Sequence, residues 1–297
     1  MSTPITILAD ILKYTIAAAT PLLFASIGGL FSQLAGMLNI ALEGLMGLGA
    51  FFGMAAAGAS GSLVVGAMAG VAAAVVGSWL MGIITIKFKA NLFITGLAVN
   101  LLAVGITAVL SQSWFHTKAV VAFDIPRVML AFPAFLGRIP FIGPVLFSQN
   151  ILSASAWLWV IAAAFIIRNT RHGVRIRATG MNEEAVNALG YRPDRYHMAA
   201  LIWSGVGSGL GGFALGVSIS AFVPNITAGR GWIALVAMYL GRGKPLWIAA
   251  SCLLFALAES LSNYVQGFSA IPPLLVLALP YAVTLVSLVA AAAGKKD

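Results

Sequence analysis

Charge is scarce in this chain. Asp, Glu, Lys and Arg make up 8% of its 297 residues, with only eight acids among them, while 61% of residues are hydrophobic. Soluble domains carry about 25% charged residues, so a globule surrounded by water is excluded and a polytopic membrane protein is implied. Cysteine occurs once, as Cys252 inside an apolar run, which excludes an intramolecular disulfide and a cysteine-based metal cluster. The histidines, His116, His172 and His197, lie far apart with no ligand spacing, so no metal site is expected. No GxxxxGK[ST] run is present: Gly241-Arg-Gly-Lys-Pro245 and Gly294-Lys-Lys296 lack the hydroxyl residue and the preceding strand, so the chain has no phosphate loop with which to drive transport itself. HExxH, GxSxG and paired acids on a soluble scaffold are also missing, and an enzyme is not expected. Met1 to Ala9 holds no basic residue, so the charged start of a cleavable signal is lacking and the first apolar run reads as a retained span.

What is there is mostly membrane. Apolar runs of spanning length cover Ile11 to Phe31, Leu34 to Ala57, Ser62 to Ile84, Leu92 to Leu110, Ile151 to Ile167, Met198 to Ala221 and Ile271 to Ala293. Two shorter runs, Trp232 to Leu240 and Leu246 to Ala258, flank Gly241 to Pro245. The expectation is an all-α, polytopic helical bundle of about nine transmembrane helices, within a range of roughly eight to ten. Broken or re-entrant segments are tolerated where protein or a wet cavity satisfies their backbone groups. The whole chain, 1–297, reads as one transmembrane domain. Residues 111–150 carry Pro126, Pro133, Pro140 and Pro144, which stop a straight span and suggest an external, partly dipping loop.

The main polar island is Arg168 to His197, with six of the ten arginines and three of the eight acids. Placing it in the cytoplasm puts Lys87, Lys89, Arg242, Lys244, Lys295 and Lys296 on the same side by alternation. Twelve of seventeen basic residues then lie inside, with Lys13, Lys118, Arg127, Arg138 and Arg230 elsewhere. The C-terminus falls inside and the N-terminus outside. The formal charge of +9 thus reports topology. No basic stripe interleaves with stacking aromatics, so membrane lipid and not nucleic acid is the expected neighbour. Within the island Asn182 can cap a short helix, Glu183 and Glu184 occupy its first turn, and Gly190 stops it. Ala185, Ala188 and Leu189 share a face, giving a stripe to press against something. The readings open here are a docking helix at the membrane surface and an ordinary solvated basic loop.

Glu43 is an acid inside an apolar run, and an ionisable group there needs a cavity or a partner. At helical spacing Asn39 shares its face. The pair would either bond a polar solute or cap a helix break near Gly44 and Gly47, and Glu43 alone would serve as an interhelical pin. Gly207, Gly209 and Gly212 formally match a dinucleotide fingerprint, yet they lie in an apolar span with no strand before them. Gly205 with Gly209, and Gly212 with Gly216, repeat at GxxxG spacing, so this span should pack backbone to backbone on another helix. Gly229-Arg-Gly-Trp232 follows Pro224 and opens a short helix. Arg230 and Trp232 there form either a gate meeting a partner or solute, or a tight turn with an interfacial anchor.

Taken together, Asn39-Ile-Ala-Leu-Glu-Gly44, Lys87-Phe-Lys-Ala-Asn91 before the span with Gly96 and Asn100, Arg177 to Gly190, Gly229 to Trp232 and Gly241 resemble permease subunits of ATP-binding-cassette importers of the branched-chain amino acid, ribose and nucleoside group. The resemblance covers essentially the whole chain and is nearest to permeases for nucleosides or simple sugars. It implies that Gly180 to Gly190, with Asn182, Glu183, Glu184, Ala185 and Leu189, is a coupling helix docking into a groove of a separate ATPase subunit. That partner would use ATP and Mg; this chain would hold no cofactor. It also implies a second permease subunit, expected to be a different chain, an extracytoplasmic solute-binding protein, and residence in a bacterial inner membrane. Asn39, Glu43 and Asn100 are the candidates for the translocation pathway. The rival expectation is a secondary transporter of a small polar solute driven by an ion gradient, which calls for several paired intramembrane charges.

Overall fold

A computed structural model describes residues 4–133, 137, 139, 142–266, 282–287 and 289. Helices follow one another as α1 (Pro4–Leu34), α2 (Leu42–Ser60), α3 (Leu63–Gly82, prolonged by a π-helical turn Ile83–Lys87), α4 (Leu92–Phe115), α5 (Ile151–Asn169), α6 (Arg171–Met181), α7 (Glu183–Ala188), α8 (Pro193–Ile219), α9 (Arg230–Leu240) and α10 (Pro245–Gln266). Strands β1 (Val121–Ala122) and β2 (Ala221–Phe222) pair antiparallel, Val121 opposite Phe222. The chain is an all-α membrane bundle, and among the described residues seven helices are long and apolar enough to cross a bilayer.

Starts are set by polar caps. Asn91, Asn150, Thr170 and Asn182 each accept a hydrogen bond from the backbone N–H three residues on, opening α4, α5, α6 and α7. The bundle has two ends. The strands, the first turns of α1 and the last turns of α10 share one, since the Ser260 hydroxyl donates to the Ile11 carbonyl at 3.0 Å. Helices α6 and α7 occupy the other, where Gly180 rests on the end of α1.

Helix α8 is the centre, and its glycines are the reason. A Cβ on Gly207 would sit 2.7 Å from the Gly28 Cα of α1, and one on Gly209 would sit 2.7 Å from the Val71 Cα of α3. One on Gly212 would overlap the Met46 carbonyl of α2. Gly205 faces Ala74 and Ser78 of α3, and Gly216 faces the Met54 side chain. Where the sequence suggests one close neighbour, the glycine face serves three. Without water to drive helices together, association rests on such van der Waals proximity. Gly212→Val is therefore expected to lower the thermal midpoint of the purified protein steeply, since overpacking costs about 1–3 kcal/mol or more. Gly47→Ala, which meets nothing within 4 Å, should be neutral or stabilising. Equal midpoints for the two variants would refute this account of the core.

Several boundaries differ from the sequence expectation. The run Leu34 to Ala57 is not one helix: 35–41 are non-helical and α2 begins only at Leu42. The run ended at Ala258 continues through Glu259 to Gln266, so α10 is a full span of 22 residues. Helix α9 has 11 residues, roughly 16 Å at 1.5 Å per residue, about half a hydrocarbon core; the stretch 223–229 leads into it. Helix α4 runs to Phe115, so the proline-rich segment starts beyond Ser111. Arg168 to His197 contains two helices, with Gly180 in α6 and only Glu183–Ala188 in α7. The span expected at Ile271 to Ala293 lies mostly outside the described residues, as do Lys295 and Lys296; 282–287 is helical.

Candidate functional site

The break before α2 is held by side chains. Asn39 is fully buried, and its amide donates to the Ser204 hydroxyl of α8 at 2.9 Å and to Ser78 of α3 at 3.5 Å. Its Oδ1 accepts from Ala41 N–H at 2.9 Å, and its own N–H donates to Ser32 of α1 at 3.2 Å. Asn39 therefore lies outside any helix, and the shared helical face with Glu43 does not exist; the chain unwinds here because these four contacts replace helical ones. Asn100, eight residues or roughly 12 Å into α4, serves the same break. Its Oδ1 accepts from Gly44 N–H at 2.7 Å and its amide donates to the Ile40 carbonyl at 3.1 Å. The Gly44 N–H belongs to the set a helix start leaves unpaired, and the Ile40 carbonyl lies in the non-helical stretch before it.

Glu43, in the first turn of α2, reaches the start of the other short element. Its Oε1 accepts from the Thr227 hydroxyl at 2.5 Å and from Gly229 N–H at 2.8 Å, and its Oε2 accepts from Gly231 N–H at 2.7 Å. A carboxylate at a helix N-terminus meets free N–H groups and the positive end of the dipole. Gly229, with φ +83°, makes the turn that admits it. A Cβ on Gly231 would lie 2.5 Å from the Glu43 backbone, so the two starts are in backbone contact. Arg230, the first residue of α9, forms an ion pair with Glu259 of α10. Trp232 is partly exposed beside it.

At the far end, α6 and α7 form a surface. Asn182 caps α7, accepting from Ala185 N–H at 2.9 Å, and Gly190, φ +81°, turns the chain after it. Ala185, Ala188 and Leu189 are exposed, so the stripe they form faces away from this chain. Val186 is the anchor at 4% exposure, while Leu189 is 74% and Met181 87% exposed. Glu183 lies 3.5 Å from His197, and Glu184 is exposed. Arg175 ties the segment down, donating to Tyr191 at 3.0 Å and Tyr196 at 3.3 Å with its guanidinium 4.2 Å above the Tyr191 ring. A Cβ on Gly180 would overlap the Leu34 carbonyl and approach Gly36 N at 2.8 Å. The last turn of α6, which leads into α7, is thus in backbone contact with the end of α1 and the break at 35–41.

Of the residues singled out in the sequence, Glu43 and Arg230 converge on the start of α9, with Asn39 and Asn100 around the adjacent break. Glu183 to Gly190 stand apart at the far end. Sequence reasoning missed Glu259, Thr227, Ser78 and Ser204. Glu259 was findable: the rule that an intramembrane acid needs a partner applies to it as to Glu43.

The family model described as branched-chain amino acid transport system / permease component matches residues 11–288. The nucleoside ABC transporter permease protein NupC of Lactococcus lactis subsp. cremoris (strain MG1363) is 32% identical, over 95% of this chain and 90% of its own. The guanosine ABC transporter permease protein NupQ of Bacillus subtilis (strain 168) is 31% identical, over 95% of this chain and 92% of its own. An autoinducer 2 import system permease protein, LsrC, of Yersinia pseudotuberculosis serotype O:1b (strain IP 31758) is 31% identical over 37% of this chain and 28% of its own. No solved structure matches. With the match running through nearly every helix described above, this chain belongs to the family of branched-chain amino acid transport system permease components.

Proposed function

We propose that this chain is the membrane-spanning permease subunit of an ABC importer, and that its solute is a nucleoside or, failing that, a simple sugar. The carrying observation is the exposed apolar surface that Met181 and Leu189 form on either side of α7, joined through Gly180 to the end of α1. Leu189 and Met181 are anchors for a groove on an ATPase subunit, which supplies ATP and Mg. Closure of the ATPase pair would move α7. Backbone contact would pass that motion through Gly180 to residues 35–41, whose Asn39 and Asn100 contacts hold the start of α2. From there Glu43 would carry it to α9, whose half-length allows it to tilt and switch access. The nucleoside assignment rests on the likeness to NupC and NupQ along their length.

The arginines and lysines at 87–89, 168–195 and 242–244 gather at the α6–α7 end, which supports a cytoplasmic α7 and an external N-terminus; the C-terminus would be cytoplasmic. The remaining partners are a second permease subunit and an extracytoplasmic solute-binding protein. An ion-driven carrier fits less well, because Glu43 is occupied by three donors and Glu259 by Arg230, leaving neither carboxylate free to bind a coupling ion. Uptake of labelled nucleosides should collapse when cellular ATP is depleted at constant membrane potential, and an ATPase should co-purify with the tagged chain. Uptake that survives ATP depletion would overturn the importer reading.

A further inference from the structure

At the strand end a cavity of about 940 Å³ opens between the first turns of α1, the end of α8, the start of α9, the last turns of α10 and residues 125–128. That is the size of a small-molecule site. Its charged side chains are Asp10, Arg127, Arg230 and Glu259, two of each sign. With no net charge, it lacks the single-signed field that draws in an ion. It does hold unused hydrogen-bonding capacity: among the described residues neither Asp10 nor Asn263 has a side-chain partner. Pro21, inside α1, has no N–H to offer the Ala17 carbonyl, and both residues line the cavity. Tyr14 and Tyr264 add aromatic rings to its wall.

Neutral overall, with acceptors and donors to spare and flat rings in its lining, this wall suits an uncharged compound that has hydroxyl groups and a flat face. We infer that the cavity is where the permease receives such a solute, of nucleoside size, so that solute is held within this chain and not solely between two permease subunits. The inference rests on the importer reading. It also assigns the Arg230–Glu259 pair a role: a solute that hydrogen-bonds to Arg230 acts on the first residue of α9, whose neighbours Gly229 and Gly231 are held by Glu43.

Ser218 lines the cavity and is exposed, whereas the single native cysteine, Cys252, is buried. Ser218→Cys therefore presents one accessible thiol. The full chain, purified with its co-purifying subunits into lipid nanodiscs, would be labelled with a charged maleimide in the presence of uridine, guanosine, ribose or inorganic phosphate. A nucleoside or ribose should slow labelling saturably, about tenfold at ten times its dissociation constant. Phosphate should not, and neither should any solute affect Ser60→Cys, an exposed position outside the cavity. Unchanged labelling of Ser218→Cys at the solubility limit of every neutral solute overturns the inference. Uptake by cells carrying the same variant separates the two readings. ATP-driven nucleoside uptake without protection sinks the cavity alone, and protection without ATP dependence supports the cavity while sinking the importer.

Discussion

Glu43→Ala is expected to strip the start of α9 of its acceptor and to lower the stability of the assembled protein more than any other single change in the bundle interior. Gly229 and Gly231 N–H would lose their partner where water is scarce, and each stranded donor costs about 1–3 kcal/mol. Glu43→Gln should fall between wild type and Ala. Its single carbonyl can still accept from Thr227 and Gly229, but its NH2 would confront Gly231 N–H, donor against donor. Thermal unfolding of the detergent-purified variants gives the order directly, and uptake per folded molecule should fall with it. Loss of uptake in Glu43→Gln at an unaltered midpoint would show instead that the carboxylate meets solute.

Met181→Asp combined with Leu189→Asp should abolish coupling while leaving the permease folded. Both side chains are exposed at 87% and 74%, so the fold loses no buried contact. At an interface, anchors of this kind are each worth about 2 kcal/mol or more, and burying a carboxylate against an apolar groove adds a desolvation cost. Uptake should fall by about a hundredfold or more, with recovery of the ATPase in pull-downs falling in parallel and the midpoint unchanged. Normal ATPase recovery and normal uptake would mean that the Met181–Leu189 surface around α7 is not where the ATPase docks.

The polar segment 168–197 shows how far local signals reach. Asn182 as cap and Gly190 as stop are legible, because capping and a left-handed turn depend on residues within a few positions. The direction in which α7 faces is not. Val186, not Ala185 or Leu189, turns inward because Arg175 and the two tyrosines fix the approach of the following chain. The glycine pattern of α8 was readable as close packing, since its spacing repeats every four residues; which helices fill the grooves was not.

The sequence by itself determined that the chain is a helical membrane bundle, where most spans lie, which loops gather positive charge, and where the short capped helix of the polar segment starts and stops. Each follows from hydrophobic length, composition or neighbour-to-neighbour chemistry. Tertiary structure alone decided that α2 starts late and that Glu43 closes the start of α9. The first depends on Asn39 and Asn100 meeting groups 39 to 165 positions away, the second on groups 184 to 188 positions apart in the chain. Likewise α10 runs on through Glu259 because Arg230, 29 residues earlier, neutralises it. In a bilayer an unpaired polar group is costly enough to end a helix, and only the fold brings the partner that removes the cost.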